Sequence, residues 1–279
     1  MSSKLSISKL DILGEVFQKH HWPIDNDKQK SYFNKYVRML ESMSEDEQNM
    51  MLELTDNFLH IKLREYFDIL VDIVRKVIIE NPSTTQYYVL PALTKEDVGK
   101  VTKSSIHLLY MFTGEELENS IDDSNVHFQI VKDNDKLLAK GIRDNEKILI
   151  VDDFIGSGKT IEESFEVHNI KDGGFKIEDV IVLSLVVHEK GLAHLKDMGI
   201  HQIFYSILIN RGISDKYMGE KRDEYVKLMN QIEARIPKLD EENRFGYCQC
   251  EALLHMHRVP NNTFPIYWLH NNVSPYRRK

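Results

Sequence analysis

The sequence predicts an α/β protein, a mainly parallel sheet preceded by an N-terminal helical region. Three observations carry this. The first eighty-odd residues place apolar side chains at helical spacings of three and four. From Gln86 onward, short runs rich in β-branched and aromatic residues appear, and several are apolar throughout, as strands covered on both faces require. Helix-length stretches separate these runs, and strand-helix alternation implies parallel neighbours. With 279 residues the chain fits one large domain or two small ones, and the expected division is 1–82 and 83–279.

The elements follow in order. Leu5–Lys19, Lys28–Met43, Glu45–Phe58 and Ile61–Ile79 read as helices. Ser44 precedes three acids, a capping residue ahead of a negatively charged first turn. Asn81-Pro82-Ser83 ends the helical texture. Expected strands are Tyr87–Leu90, Val126–Val131, Ile148–Val151, Val180–Val187 and Ile203–Ile209, and the helices between them are Glu96–Phe112, Thr160–His168 and Glu189–Met198. The polar, acidic Gly114–Asn125 reads as a loop fit for a mobile flap. Asp215–Ile236 returns to helical spacing, and Cys248–Trp268 reads as two extended segments around a turn at Pro260-Asn261-Asn262.

Composition narrows the class of function. A chain 42% hydrophobic and 29% charged is globular, and a net charge of −8 does not indicate direct nucleic-acid binding. No apolar run reaches the roughly 18 to 20 residues of a membrane span, and the N-terminus carries no signal-like apolar stretch. The two cysteines, Cys248 and Cys250, are too few for a disulfide framework, so a reduced, cytoplasmic setting is expected. With His255 and His257 they form a CxC…HxH pattern, but that segment alternates as a packed strand does, and no metal held by protein ligands alone is expected.

The chemistry concentrates in Asp152–Thr160, DDFIGSGKT. Ile148–Val151 is an apolar strand, and the carboxyl end of a parallel strand is where ligands bind. Gly156 and Gly158 let the backbone turn tightly and bring N–H groups to an anion. Ser157 and Thr160 add hydroxyls, and a helix starting near Thr160 presents its positive end. Such a nest suits phosphate. Asp152 and Asp153 would repel phosphate unless they had a second task, and carboxylates accept hydrogen bonds from sugar hydroxyls. Each such charge-assisted bond contributes about 1.5–3 kcal/mol. The pattern therefore reads a ribose 5-phosphate from both ends. The alternative is a nucleotide P-loop, G-x-x-x-x-G-K-[ST], whose second half Gly158-Lys159-Thr160 supplies, but its first glycine would fall where Asp153 stands.

Ile148–Thr160 resembles the PRPP-binding signature of type I phosphoribosyltransferases, in which a hydrophobic strand and two acids precede a glycine-containing loop that ends in Thr. The resemblance implies the sheet of that family, with Asp152 and Asp153 on the ribose hydroxyls. It implies that Phe154, Ile155, Gly156, Ser157, Gly158, Lys159 and Thr160 wrap the 5-phosphate. A loop after the first core strand, here Leu93–Lys103, would bind pyrophosphate, with Lys95, Lys100 and Lys103 as candidates and Mg²⁺ accompanying the diphosphate. The C-terminal Phe245-Gly246-Tyr247 and the PNNTFPIYW stretch, Pro260–Trp268, are similar to phosphoribosyltransferase-like proteins of bacterial conflict systems, including those encoded beside retron reverse transcriptases. That similarity implies an effector or effector-associated part in anti-phage defence, with defence-system proteins or a second copy as partners.

The implied reaction displaces pyrophosphate from ribose C1 by a nitrogen nucleophile. For the base, a hood is expected from outside the sheet, either from the N-terminal helices or from Phe245–Trp268, with Tyr247, Asn261 and Asn262 as candidates and Tyr267 and Trp268 as further aromatics. The reading favoured over this one makes Tyr267 and Trp268 core aromatics and Asn261-Asn262 only a turn. Three function classes follow: a transferase or related hydrolase, a non-catalytic PRPP or nucleotide sensor, and a P-loop nucleotidase.

Overall fold

The computed structural model describes residues 4–24, 31–99, 103–121, 125–131, 137, 140–170, 173–270 and 273–276. The chain forms two compact units, 62–209 and a discontinuous one of 1–61 with 210–279.

The unit 62–209 is built on a sheet of five strands, all parallel, in the order β3-β2-β4-β5-β6. They are β2 (Gln86–Pro91), β3 (His127–Ile130), β4 (Glu146–Ile155), β5 (Val180–His188) and β6 (Ile203–Ile209). Every residue of β5 is buried, as an apolar run interrupted by Ser184 alone before His188 leads one to expect. Ile148 and Ile150 join a core with Ile161 and Phe165 of α7 (Lys159–Val167) and Leu195 of α8 (Glu189–Asp197). The alternating Leu149 and Val151 are as fully buried, and so point to the opposite face. There α4 (Tyr66–Glu80) crosses β5 and β6 while α5 (Ser104–Met111) crosses β2 and β4. Helix α4 turns a stripe of Leu70, Ile73, Val74 and Val77 inward, the spacing of one helical face.

The unit 1–61 with 210–279 contains α1 (Ile7–Lys19), α2 (Tyr32–Glu41), α3 (Glu45–Asp56) and α9 (Gly219–Glu233), with β1 (Leu59–His60) paired in parallel to β7 (Leu254–His255). Ser44 forms a full capping box with Glu47 at the start of α3. One apolar core runs through Phe17, Tyr36, Met50, Phe58, Met229, Phe264 and Tyr267. The Tyr36 and Tyr276 hydroxyls meet at 3.0 Å inside it.

Several sequence expectations change. The compact units are drawn differently from a boundary at residue 82. Helix α4 belongs with the sheet because its apolar stripe faces β5 and β6, and the C-terminal segment shares its core with α1–α3. The expected helix Glu96–Phe112 is a short 3-10 turn at Lys95–Asp97 and then α5, with Gly99 left-handed at φ +84° between them. The expected loop Gly114–Asn125 contains α6 (Glu115–Ser120), anchored by buried Leu117, while 122–124 lie outside the described residues. Cys248–Trp268 is not two extended segments. It holds two 3-10 turns, the two-residue β7 and one bridge between Ala252 and Thr263. Among the described residues no helix is long and apolar enough to cross a membrane.

Glu233, 1% exposed, closes the helical unit by accepting the Phe245 N–H at 2.9 and 3.1 Å. Burial pushes its carboxyl up to about 7 from 4.5, only partly opposed by the Phe245 hydrogen bond and the Arg244 charge. A carboxyl raised in this way stabilises the fold below its unfolded value and loses that contribution as pH climbs through the folded one. The melting temperature of the wild type should therefore fall between pH 5 and 8, with up to about 3 kcal/mol at stake. Glu233→Gln keeps the acceptor oxygen and cannot ionise, so its melting temperature should be nearly flat over that range. Parallel curves for the two proteins would remove Glu233 as the cause.

Candidate functional site

The strand order places the site. From β2 the chain steps outward to β3, whereas β4, β5 and β6 run out on the other side. The loops leaving β2 and β4 therefore diverge, and this switch point is where an open parallel sheet forms its ligand crevice.

Strand β4 continues past its apolar run. Asp152 pairs with Ser184, Phe154 with Val186 and Ile155 with Val187. Both acids are buried, each 5% exposed. Two expectations about the loop need correction. Ile155 is a core residue, 2% exposed, so only its backbone borders the loop. The turn proper is just Gly156-Ser157-Gly158 between β4 and α7. That shortness also opposes the P-loop alternative, because residues 153–155, which would have to begin such a loop, are still in the sheet.

The left-handed backbone falls on Gly158, at φ +84°, where a Cβ would lie 2.8 Å from His194 Cδ2. Gly158 is also the N-cap of α7 and has no side chain to cover the helix's first N–H groups, so they face the turn. From the far side Gly191 presses against the loop: a Cβ there would stand 2.6 Å from the Gly156 carbonyl oxygen. Glycine is needed at 191 for close approach and at 158 for backbone sign. Lys159 is exposed and Thr160 half-exposed at the mouth of the turn, and the Ser157 hydroxyl accepts the Lys159 N–H at 3.4 Å.

The acids are not equivalent. Asp152 Oδ1 accepts the N–H of Asp153 at 3.0 Å, so it is turned back onto its own chain. Asp153 Oδ2 accepts the hydroxyl of Tyr66, from the first turn of α4, at 3.1 Å. Burial, with the Asp153 charge added to it, pushes the Asp152 carboxyl well above the usual carboxylate range, and the nearby Lys103 ammonium only partly offsets this.

The loop after β2 is tied to strand β4 and to helix α7. Ala92 N–H donates to Val151 O at 2.9 Å. The Ser164 hydroxyl on α7 accepts Leu93 N–H at 2.7 Å, and His168 Nε2 lies 2.8 Å from Pro91 O. Burial depresses the His168 ring, which keeps it neutral and makes Nε2–H the donor. Of the expected pyrophosphate lysines, Lys103 is the one beside Asp152. It is ion-paired to Asp97, which also accepts from Thr94 N and Oγ1 at 3.1 and 2.7 Å. Lys95 instead pairs with Glu166 at 2.7 Å on an exposed surface, and Lys100 lies outside the described residues.

Tyr247, Asn261 and Asn262 lie in the other compact unit. Asn262 is 6% exposed, and its amide donates to Tyr247 O at 3.1 Å and to Cys250 Sγ at 3.3 Å, which holds the turn together. Asn261 O accepts the Tyr247 N–H at 2.8 Å. Tyr267 is fully buried, and Trp268 Nε1–H is bound to Thr263 O at 2.8 Å, so these aromatics pack the core. His255 stacks on Tyr276 at 4.2 Å, and burial takes it down to about 3; among the described residues no group of His, Cys, Asp and Glu converges on a metal position. Sequence reading missed Tyr66, Ser164 and Gly191. Gly191, four residues after the expected end of a strand at Val187, was a visible signal; nothing local marked the other two.

A family model described as PRTase-CE matches residues 33–278. Comparison with curated proteins gives no match.

Proposed function

The chain belongs to the PRTase-CE family, which is phosphoribosyltransferase-like, and from that premise we propose that the β2–β4 crevice binds PRPP or a related ribose 5-phosphate nucleotide. The observation that carries this reading is the pair Asp152-Asp153 near the carboxyl end of β4, just before a helix whose N-cap is a glycine without a side chain. The first-turn N–H groups of α7 receive the 5-phosphate, and the carboxylates accept from ribose hydroxyls.

The reaction this arrangement supports is substitution at ribose C1. The C1–O bond to pyrophosphate breaks, a bond from C1 to a base nitrogen or to water forms, and the nucleophile's proton passes to solvent. Positive charge grows on the sugar, and the buried carboxylates stabilise it without having to take up a proton. Lys103, whose charge reaches Asp152, is the cation assigned in this reading to balance the departing diphosphate. The residues fit a Mg²⁺ carried in on diphosphate oxygens: such an ion needs only one or two protein carboxylates, which Asp152 or Asp153 would supply, and it neutralises leaving-group charge.

Incubating the protein with PRPP, Mg²⁺ and a panel of bases and nucleotides should release pyrophosphate with at least one acceptor. One observation favours a second reading, a sensor: Lys103 already has a partner in Asp97. A sensor would bind PRPP and leave it intact with every acceptor, whereas absence of PRPP binding would sink both readings. The wider setting we infer is bacterial anti-phage defence of the retron type in the cytoplasm, with defence-system proteins or a second copy as partners. The support for it is the likeness of the Phe245–Tyr247 and Pro260–Trp268 segments to such proteins.

A further inference from the structure

Tyr66 is the first residue of α4, 87 positions before Asp153, and is 1% exposed. Its placement is built in. The 3-10 turn Leu63–Glu65 precedes it, and Glu65 Oε2 accepts Lys62 N–H at 2.7 Å, which sets the angle at which the chain enters α4. The buried stripe of Leu70, Ile73, Val74 and Val77 then fixes the helix on the sheet. A buried hydroxyl directed at a buried carboxylate is a geometry that packing alone would not require, since a phenylalanine ring fills the same space.

We propose that Tyr66 is a positioning residue for the ribose site: its hydroxyl occupies Asp153 Oδ2 and thereby sets Oδ1 as the oxygen that meets a ribose hydroxyl. The inference rests on the PRPP reading and adds to it a residue from outside the PRPP signature. A carboxylate with one oxygen held by a rigid donor loses little freedom when the other binds, so the site is organised before ligand arrives. The same bond keeps the two acids unlike. Asp152 is folded onto the backbone, Asp153 is held by a side chain, and the two carboxylates do not exchange roles.

The test is Tyr66→Phe in the full chain, with isothermal titration of Mg-PRPP and, separately, of Mg-pyrophosphate, which has no ribose. Affinity for PRPP should fall about ten-fold, with pyrophosphate affinity and melting temperature close to wild type. In Asp153→Asn the further Tyr66→Phe change should have little added effect on PRPP, because the hydroxyl acts through that carboxylate. Unchanged PRPP affinity in Tyr66→Phe overturns the proposal while leaving the PRPP reading standing. An equal loss for PRPP and pyrophosphate also overturns it, since that marks general damage to the fold. A wild type that takes up no PRPP overturns the underlying reading and the proposal with it.

Discussion

Replacing both acids, Asp152→Asn with Asp153→Asn, should abolish the proposed PRPP binding and leave the chain folded, with a melting temperature equal to or above the wild type's. Two charge-assisted contacts at about 1.5–3 kcal/mol each are lost, so affinity falls at least 100-fold. The stability half of the result follows from burial. Each carboxylate is 5% exposed, and desolvation together with Asp153 raises the Asp152 carboxyl well above its ordinary value. A carboxyl raised this way contributes stability below its unfolded value and loses it as pH rises through the folded one, because burial and the neighbouring acid disfavour the charged form. Asparagine is nearly isosteric and uncharged, so the penalty for ionising two adjacent buried acids is gone. Binding residues that cost stability are the expected signature of a functional site. Titration of PRPP and a thermal melt check the two halves, and unchanged affinity would take these carboxylates out of the site. If the chain serves in phage defence, the same variant, expressed with its partners, should lose protection in a plaque assay. Protection equal to wild type would separate the defence role from PRPP.

Gly246→Ala should unfold or severely loosen the helical unit. A Cβ at this position would lie 1.9 Å from the Asn262 carbonyl oxygen and 2.6 Å from its carbon, at a backbone φ of +77°. Neither strand of the turn can give way. Phe245 N–H is held by Glu233, Tyr247 N–H by Asn261 O, and Ala252 N–H by Asn262 O at 3.0 Å. Backbone strain and overpacking together cost more than about 3 kcal/mol. Gly14 is the internal control: a Cβ there meets nothing within 4 Å, and it sits inside α1, so Gly14→Ala should be neutral or stabilise by up to about 1 kcal/mol. Urea denaturation of the two variants beside wild type measures the contrast. A loss below about 1 kcal/mol for Gly246→Ala would contradict the close approach of the two backbones.

The sheet was the most legible part of the sequence. Val180–His188 is apolar but for Ser184 and His188 because it is buried throughout, and Ile203–Ile209 was bounded to the residue. The acid pair and Gly158 were legible for a related reason: local chain chemistry sets them. What faces what was not legible. The stripe on α4 announces a buried face but not that the sheet covers it, and a stretch as acidic as Gly114–Asn125 hides the single Leu117 that anchors α6. The C-terminal segment misled most. Its alternation resembles a strand, yet Phe245, Cys248, Gln249 and Glu251 all take positive φ, a conformation tertiary contacts impose and no propensity announces. Tyr66 was out of reach for the simplest reason, since only the folded chain brings residue 66 to residue 153.

The most direct test of the central reading is titration of the purified wild-type chain with Mg-PRPP and, in parallel, with Mg-ATP. Saturable binding of PRPP without comparable binding of ATP is the predicted result, because the loop of three residues is too short for a P-loop and the acid pair on β4 is proposed to accept from ribose hydroxyls. Tight ATP binding with no PRPP binding would contradict it.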